Sequence, residues 1–452
     1  MASVAPEQIR NVAVTGHGGS GKTTLVETLL YLVGTTTRLG KVDDGTSILD
    51  TDPEEHKRRI TINMAVASFT HEGTKINLLD TPGFADFAGD QHAALRVADS
   101  AIVVVDGSAG LQVGTQSVWD QLEEAKTPRL ILVGRLDREN ADFDEVLKQL
   151  RDAYGIKVVP LHVPVGAHQE ISATIDLLHG QILKGPKDPI GDLPADEKER
   201  VGDYQRQLVE AIVETNEDLM NRYLEGKEMG YDELRDALHA AVRAGEVVPV
   251  VASSSTKRVG FTALLSAIVQ MLPSPAETGA VVGRDPNGKE IARKVSADEK
   301  LAAFVFKTLA DPFVGKLSYV RVYSGTLHHN AQVYDATKKE TERVGQIFFL
   351  RGKEQEAAEA VTAGDICAIP KLAAPNTTAL ANSSGWPMRP SGTPAARLAF
   401  ICFSCSLSFP TRPAMAGVSM GPGLTTFTRI LRALSSVVQV RAKERTAALV
   451  AL

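Results

Sequence analysis

Residues 12–23 read VAVTGHGGSGKT, and this stretch decides the fold. Val12 to Thr15 is a short apolar run bounded by glycine, the signature of a buried strand. Gly16, His17, Gly18, Gly19, Ser20, Gly21, Lys22 and Thr23 then fit the spacing G-x-x-x-x-G-K-[ST], and the helix-like segment beginning near Thr24 follows directly. Glycines let successive backbone N–H groups turn inward around phosphate oxygens, and the positive end of the following helix adds to the attraction. In such a loop Lys22 neutralises the outer phosphates and the Thr23 hydroxyl ligates Mg²⁺.

Working outward, Ile76 to Leu79, Ala101 to Val105 and Leu130 to Val133 are further apolar runs, with amphipathic stretches such as Leu25 to Val33 and Gln116 to Ala125 between them. Alternation of this kind predicts a parallel sheet covered by helices. A fifth run, Val247 to Val251, comes only after a gap at about 158–245 that holds strands of its own (Val158 to Pro164) and acidic helices (Glu197 to Leu224), so an inserted subdomain is expected there. The expected nucleotide-binding domain covers 8–275. A linker follows LPSP at 272–275, and from 290 to 372 short β-rich runs broken by Gly325, Gly345, Gly352 and Gly364 predict a small antiparallel barrel.

The second phosphate-site signal is at the end of the strand Lys75 to Leu79, where Asp80, Thr81, Pro82 and Gly83 spell the DTPG of regulatory GTPases. An acid there holds Mg²⁺ through water, and the Gly83 amide senses the γ-phosphate. Between the two motifs, Thr61 in RITI (59–62) is placed to complete the metal shell, making Thr23, Thr61 and Asp80 the candidate metal residues. For the base, the strand Leu130 to Val133 runs into Gly134, Arg135, Leu136 and Asp137. Asp137 supplies the carboxylate that guanine needs. Gly134 lacks the expected amide side chain, and Arg135 replaces a lysine by stacking its stem or plane on the base. Ser254 and Ser255 suit a last base-contacting loop, although a Ser-rich turn is an equally good structural explanation.

Residues 8–372, about four fifths of the chain, resemble the elongation factor G family of ribosomal translocase GTPases. The resemblance rests on GKTT (21–24), ITI (60–62), DTPGFADF (80–87), LDRENADF (136–143), VPVGA (163–167) and DPFVGKL followed by RVYSGTL (311–327). It implies a GTP-binding domain with an insert, a β-barrel second domain, GTP or GDP with Mg²⁺ as cofactors, and the ribosome, its RNA and proteins, as partner. Three positions depart from the family: Gly19 stands at an acid position, Arg59 at a glycine, and Phe84 at the histidine that positions the attacking water. A phenyl ring cannot hydrogen-bond water, so hydrolysis slowed by on the order of 10²–10⁴ is expected. The other reading of Phe84 is a hydrophobic gate, with a neighbouring group ordering the water. These departures resemble the elongation factor G-like paralogues. Lys22, Thr61, Gly83 and Phe84 are the candidate catalytic residues.

The last 80 residues, 373–452, hold eight Arg or Lys and one acid, Glu444; this net of +7 against −6 for the whole chain leaves −13 on residues 1 to 372. The resemblance stops within a few residues of Leu372, short of the family's third to fifth domains, so translocation competence is not expected. Either an out-of-frame reading of a GC-rich gene or a genuine basic extension that touches RNA accounts for the composition. A short helix at Leu431 to Leu452 is expected, and the lone C-x-x-C of Cys402 and Cys405 is read as chance. A non-hydrolysing guanine-nucleotide-binding module or inactive fragment is the alternative function.

Composition bounds the rest. In 452 residues, 43% are hydrophobic and 23% charged, enough to bury sizeable cores and unlike a disordered or collagen-like chain. The slightly acidic balance gives no global attraction to nucleic acid. No apolar run of 18 residues and no secretory signal is found, and three cysteines make no disulfide framework, so a cytosolic monomer is expected.

Overall fold

The computed structural model describes residues 4–184, 197–284, 290–311, 315–382 and 389–390. The expected C-terminal helix and the C-x-x-C pair lie outside these residues. Among the described residues no helix is long and apolar enough to cross a membrane.

Among the described residues, nine strands build the first sheet: β1 Ile9–Gly16, β2 Ala65–His71, β3 Thr74–Asp80, β4 Ser100–Asp106, β5 Arg129–Gly134, β6 Val158–Val165, β7 Ala173–Asp176, β8 Gln181–Leu183 and β9 Val248–Ala252. Their lateral order is β2-β3-β1-β4-β5-β9-β6-β7-β8. The middle of the sheet, β3 to β6, is parallel and its strands are buried almost from end to end with mostly apolar side chains, as the sequence predicts for strands covered on both faces. Two differences are informative. β2 adds antiparallel to β3, so the sheet is mixed rather than parallel throughout. β6 pairs with β9, Val158 opposite Val248, so the run expected inside the insert extends the central sheet instead.

The described helices that accompany these strands are α1 Lys22–Leu32, α2 Pro53–Arg58, α3 Ala88–Val97, α4 Val113–Glu124, α5 Phe143–Tyr154, α6 Lys198–Val213, α7 Glu217–Leu224, α8 Tyr231–Ala244 and α9 Phe261–Met271. Helices α1, α3 and α4 pack on β1 and its neighbours, α5 and α6 on β6, and α8 on both α6 and α9. One apolar core, from Val12 and Leu25 through Ile131 and Leu147 to Leu238 and Ile268, unites them. The geometry that matters for function follows from this sheet: the C-terminal ends of β1, β3, β4, β5 and β9 lie side by side, and all but β4 carry a candidate loop.

The remaining strands are antiparallel. Ala302–Asp311 pairs with Gly315–Ser324 and with Thr378–Asn382. Gly315–Ser324 continues to Ile366–Pro370, and that strand bridges to the hairpin Ile347–Arg351/Glu354–Ala358. They enclose a second core around Val320, Phe349, Val361 and Leu380. The sheet runs past residue 372: Thr378–Asn382 pairs on both edges, with Ala302–Asp311 and with Gln332–Asp335. A third apolar cluster joins the two parts, bringing Met64, Val66, Leu79 and Val97 against Phe304, Phe306, Leu317 and Leu350.

Candidate nucleotide site

Strand β1 delivers the chain to the loop at Gly16, whose φ of +141° suits glycine alone; a Cβ there would stand 2.4 Å from the Val104 carbonyl oxygen. After the turn, α1 starts at Lys22. The Lys22 ammonium is 6% exposed and donates to the carbonyls of Gly16 (3.1 Å) and His17 (2.8 Å), so it lies under the loop. Burial pulls its pKa down, and Asp80 opposes that. A buried ammonium bonded to carbonyls is under-compensated, and an anion above it would supply the missing opposite charge. Ser20 is also buried, and its hydroxyl has no partner. The His17 Nδ1 accepts from the Gly114 N–H at the start of α4 (3.2 Å), which fixes the ring.

The three candidate metal residues meet beside Lys22. The Thr23 hydroxyl donates to Asp80 Oδ2 (2.7 Å) and lies 2.7 Å from the Thr61 hydroxyl, which donates to Asp50 Oδ1 (2.9 Å). The two hydroxyls also lie within hydrogen-bond distance of each other, and either can be the donor across that contact, so two protons serve three short contacts. The second oxygen of Asp80, Oδ1, is fully buried and unpartnered. Hard oxygen donors converging with an orphaned carboxylate oxygen fit a small divalent cation such as Mg²⁺. Burial raises the pKa of both acids, that of Asp50 to about 6. Among the described residues no group of three or more His, Cys, Asp or Glu is placed to hold a metal.

Asp50 is absent from the sequence prediction. It enters through a segment that two buried acids hold: Glu27 accepts from Ser47 and from the Ile48 and Leu49 N–H groups, and Glu55 accepts from the N–H groups of Thr51, Asp52, Ile62 and Asn63. Nothing in their local sequence marks them as anchors. Only the pattern Asp52-x-x-Glu55, a helix-capping signature, was available to find Glu55.

The loop after β3 presses on the phosphate loop. Thr81 bonds the Val14 carbonyl through both its N–H (3.2 Å) and its hydroxyl (2.8 Å), and Pro82 is buried beside it. A Cβ on Gly83 would lie 2.3 Å from Lys22 Nζ and 2.7 Å from the Gly18 nitrogen, so only glycine permits this approach. Phe84 follows, 42% exposed, with its ring against Gly18: a Cβ there would fall 2.8 to 3.0 Å from three ring carbons.

The base loops meet at the ends of β5 and β9. Ser254, fully buried, donates to Asp137 Oδ1 at 2.5 Å, and the Leu136 N–H reaches the Ser253 carbonyl (3.4 Å). Ser255, half-buried, is next along the turn, and Thr24 sits in the first turn of α1. A Cβ would fit at Gly134 in ordinary van der Waals contact, its nearest neighbours the Ser253 hydroxyl at 3.8 Å and the Val105 carbonyl oxygen at 3.9 Å. Arg135, at φ +58°, turns back toward the phosphate loop and bonds Asp106 Oδ2 at 2.6 Å.

A mixed α/β sheet ending in a phosphate loop, a DTPG loop and an acid-bearing base loop defines a P-loop GTPase domain, here followed by a β-rich domain. The chain belongs to the elongation factor Tu GTP binding domain family, which matches residues 7–274, and elongation factor G domain 2 matches residues 300–379, so the protein is elongation factor G-like. It is similar to a crystal structure from Thermus thermophilus, with 34% identity and a TM-score of 0.75 over 84% of this chain and 55% of that one. The chain therefore spans about half the length of that relative. Family membership brings guanine-nucleotide binding and the GTPase class with it.

Proposed function

We propose that this chain is a ribosome-associated GTP switch of slow turnover. Lys22 and the loop amides from Gly16 to Thr23 bind the phosphates, and Thr23, Thr61 and Asp80 hold Mg²⁺, which supplies charge neutralisation to the transferring phosphoryl group. Asp137 with Ser254 receives the guanine edge, Ser254 keeping one carboxylate oxygen oriented while the other faces the base. Thr61 ties the segment 46–63 to α1 through its hydroxyl contact with Thr23.

The slow turnover rests on one observation: the side chain against Gly18 of the phosphate loop is the ring of Phe84. It offers no acceptor to orient or deprotonate a water, so the chemistry depends on phosphate electrostatics alone, and a positioned acid or base is worth about 10²–10⁴. The ring also shields the phosphates, which favours long-lived binding. The test is phosphate release from GTP by the purified chain, with and without ribosomes, beside Phe84→His. We expect the variant to turn over at least tenfold faster than wild type when ribosomes are present. Equal rates, both well above background, would show that position 84 does not limit hydrolysis; silence in both would leave a guanine-nucleotide-binding module without catalysis.

A further inference from the structure

Asp106 ends β4 and is not among the nucleotide motifs, yet its two oxygens have separate tasks. Oδ1 accepts from the Ser108 N–H (3.0 Å) and hydroxyl (2.7 Å), closing the turn after the strand. Oδ2 accepts from Arg135 Nη1 at 2.6 Å and Arg138 Nη1 at 3.2 Å. The carboxylate is 7% exposed, whereas the arginine side chains are 31% and 50% exposed. Burial pushes its pKa up, but the bonds from Ser108 and Arg135 outweigh this and hold it below the usual range. It is therefore an anion at neutral pH, with two cations on one oxygen.

The Arg135 guanidinium lies across the phosphate loop, its Nε 3.5 Å from where a Cβ on Gly21 would stand. It reaches this place from a left-handed backbone position, beside a residue, Gly134, with no side chain to help define the pocket wall. A free arginine would lose rotamer entropy on being ordered there. Asp106 has already ordered it. A planar cation fixed at the mouth of the base loop suits stacking on a purine.

We propose that Asp106 is a positioning residue for nucleotide recognition: it holds the Arg135 guanidinium over the phosphate loop, in place of any contribution from position 134, so that the bound purine meets a preformed planar cation. This rests on the guanine-nucleotide reading given above. Arg138, on the same oxygen, keeps Asp106 charged if Arg135 moves.

The test is the Kd of N-methylanthraniloyl-GDP for wild type, Asp106→Asn, Arg135→Ala and the double variant, with melting temperatures alongside. Asparagine retains an oxygen for Ser108, so the turn stays closed while the charged acceptor is lost. Each single change is expected to weaken binding roughly tenfold, the worth of one charge-assisted contact. The double variant is expected to bind no more weakly than Arg135→Ala alone, and Gly134→Asn with Arg135→Lys is expected to rescue Asp106→Asn, which a fold defect would not allow. If Asp106→Asn does not fold, Arg135→Ala remains decisive, because that side chain is partly exposed and outside the turn: unchanged affinity overturns the proposal. So do additive losses in the double variant. Absence of binding by folded wild type would instead overturn the nucleotide reading, and this inference with it.

Discussion

At the scale of single residues, the phosphate site is a set of buried charges held apart from water before any ligand arrives. Asp50 is the clearest case, because its carboxyl accepts from Thr61 and its pKa is pushed up to about 6 by burial. In the unfolded chain an aspartate titrates near ~4. A group whose folded pKa is raised favours the fold while protonated, so its stabilising share is complete below ~4 and is lost as pH rises through about 6. Asp50→Asn keeps an oxygen for Thr61 and removes the titration. The nucleotide-free variant should therefore match wild type near pH 4 and exceed it by on the order of 1–3 kcal/mol at pH 7.5. Urea melts across this range check it, and a difference that does not change with pH would refute the assignment. The glycines, lysine and DTPG acid of this site were legible in sequence because each motif is a local run whose spacing is itself the geometry. Asp50 and Asp106 were not, since their partners Thr61 and Arg135 lie 11 and 29 residues away along the chain.

At the scale of elements, the segment between α1 and β2 is the least self-sufficient part of the nucleotide domain. Its one described helix, α2, has six residues, too few to persist alone, and is held by a capping box of Asp52 and Glu55 at one end. At the other end Arg59 adopts φ +56°, ψ +40°, the left-handed helix stop that glycine takes without cost. The resembled family has glycine here, and the structure supplies the reason. Arg59→Gly should relieve about 1 kcal/mol of backbone strain in the closed segment. Amide exchange of residues 52–63 is then expected to slow about fivefold, the factor that such an energy sets. Faster exchange would mean that the flexibility glycine adds to the open segment outweighs the strain removed. The sequence shows apolar runs but not their neighbours, which is why β6 was read into an insert although it pairs with β9, and why β2 was not foreseen as an antiparallel partner of β3.

At the scale of the whole molecule, the nucleotide domain and the β-rich domain share a buried interface that holds charged side chains. Lys75 on β3 bonds Asp365 at 2.6 Å, both essentially inaccessible, and its ammonium also sits 3.1 Å over the Phe349 ring. Asn77 bridges Asp365 to Asn11, Asn11 reaches Asp99, and Asp99 receives Arg321 at 2.8 and 3.0 Å. A second junction places Lys307 on Asp90 of α3 and on the Met64 carbonyl, while Asp90 also accepts from the Met64 N–H. The elements that flank the phosphate site are thus bonded to the second domain, so rearranging them must either move that domain or break buried polar contacts. None of this was legible in the sequence, where Lys75 and Asp365 read as ordinary polar residues 290 positions apart. Burying a lone charge costs far more than burying a pair or none. Asp365→Asn keeps an oxygen for Asn77 and the Ile366 N–H but strands the Lys75 ammonium, and should cost about 3–5 kcal/mol in denaturant melts. Adding Lys75→Met removes the stranded charge and replaces it with a thioether against Phe349. The double variant should therefore be more stable than Asp365→Asn alone. Losses that simply add would mean that the pair contributes through shape rather than charge, and that the interface would hold without it.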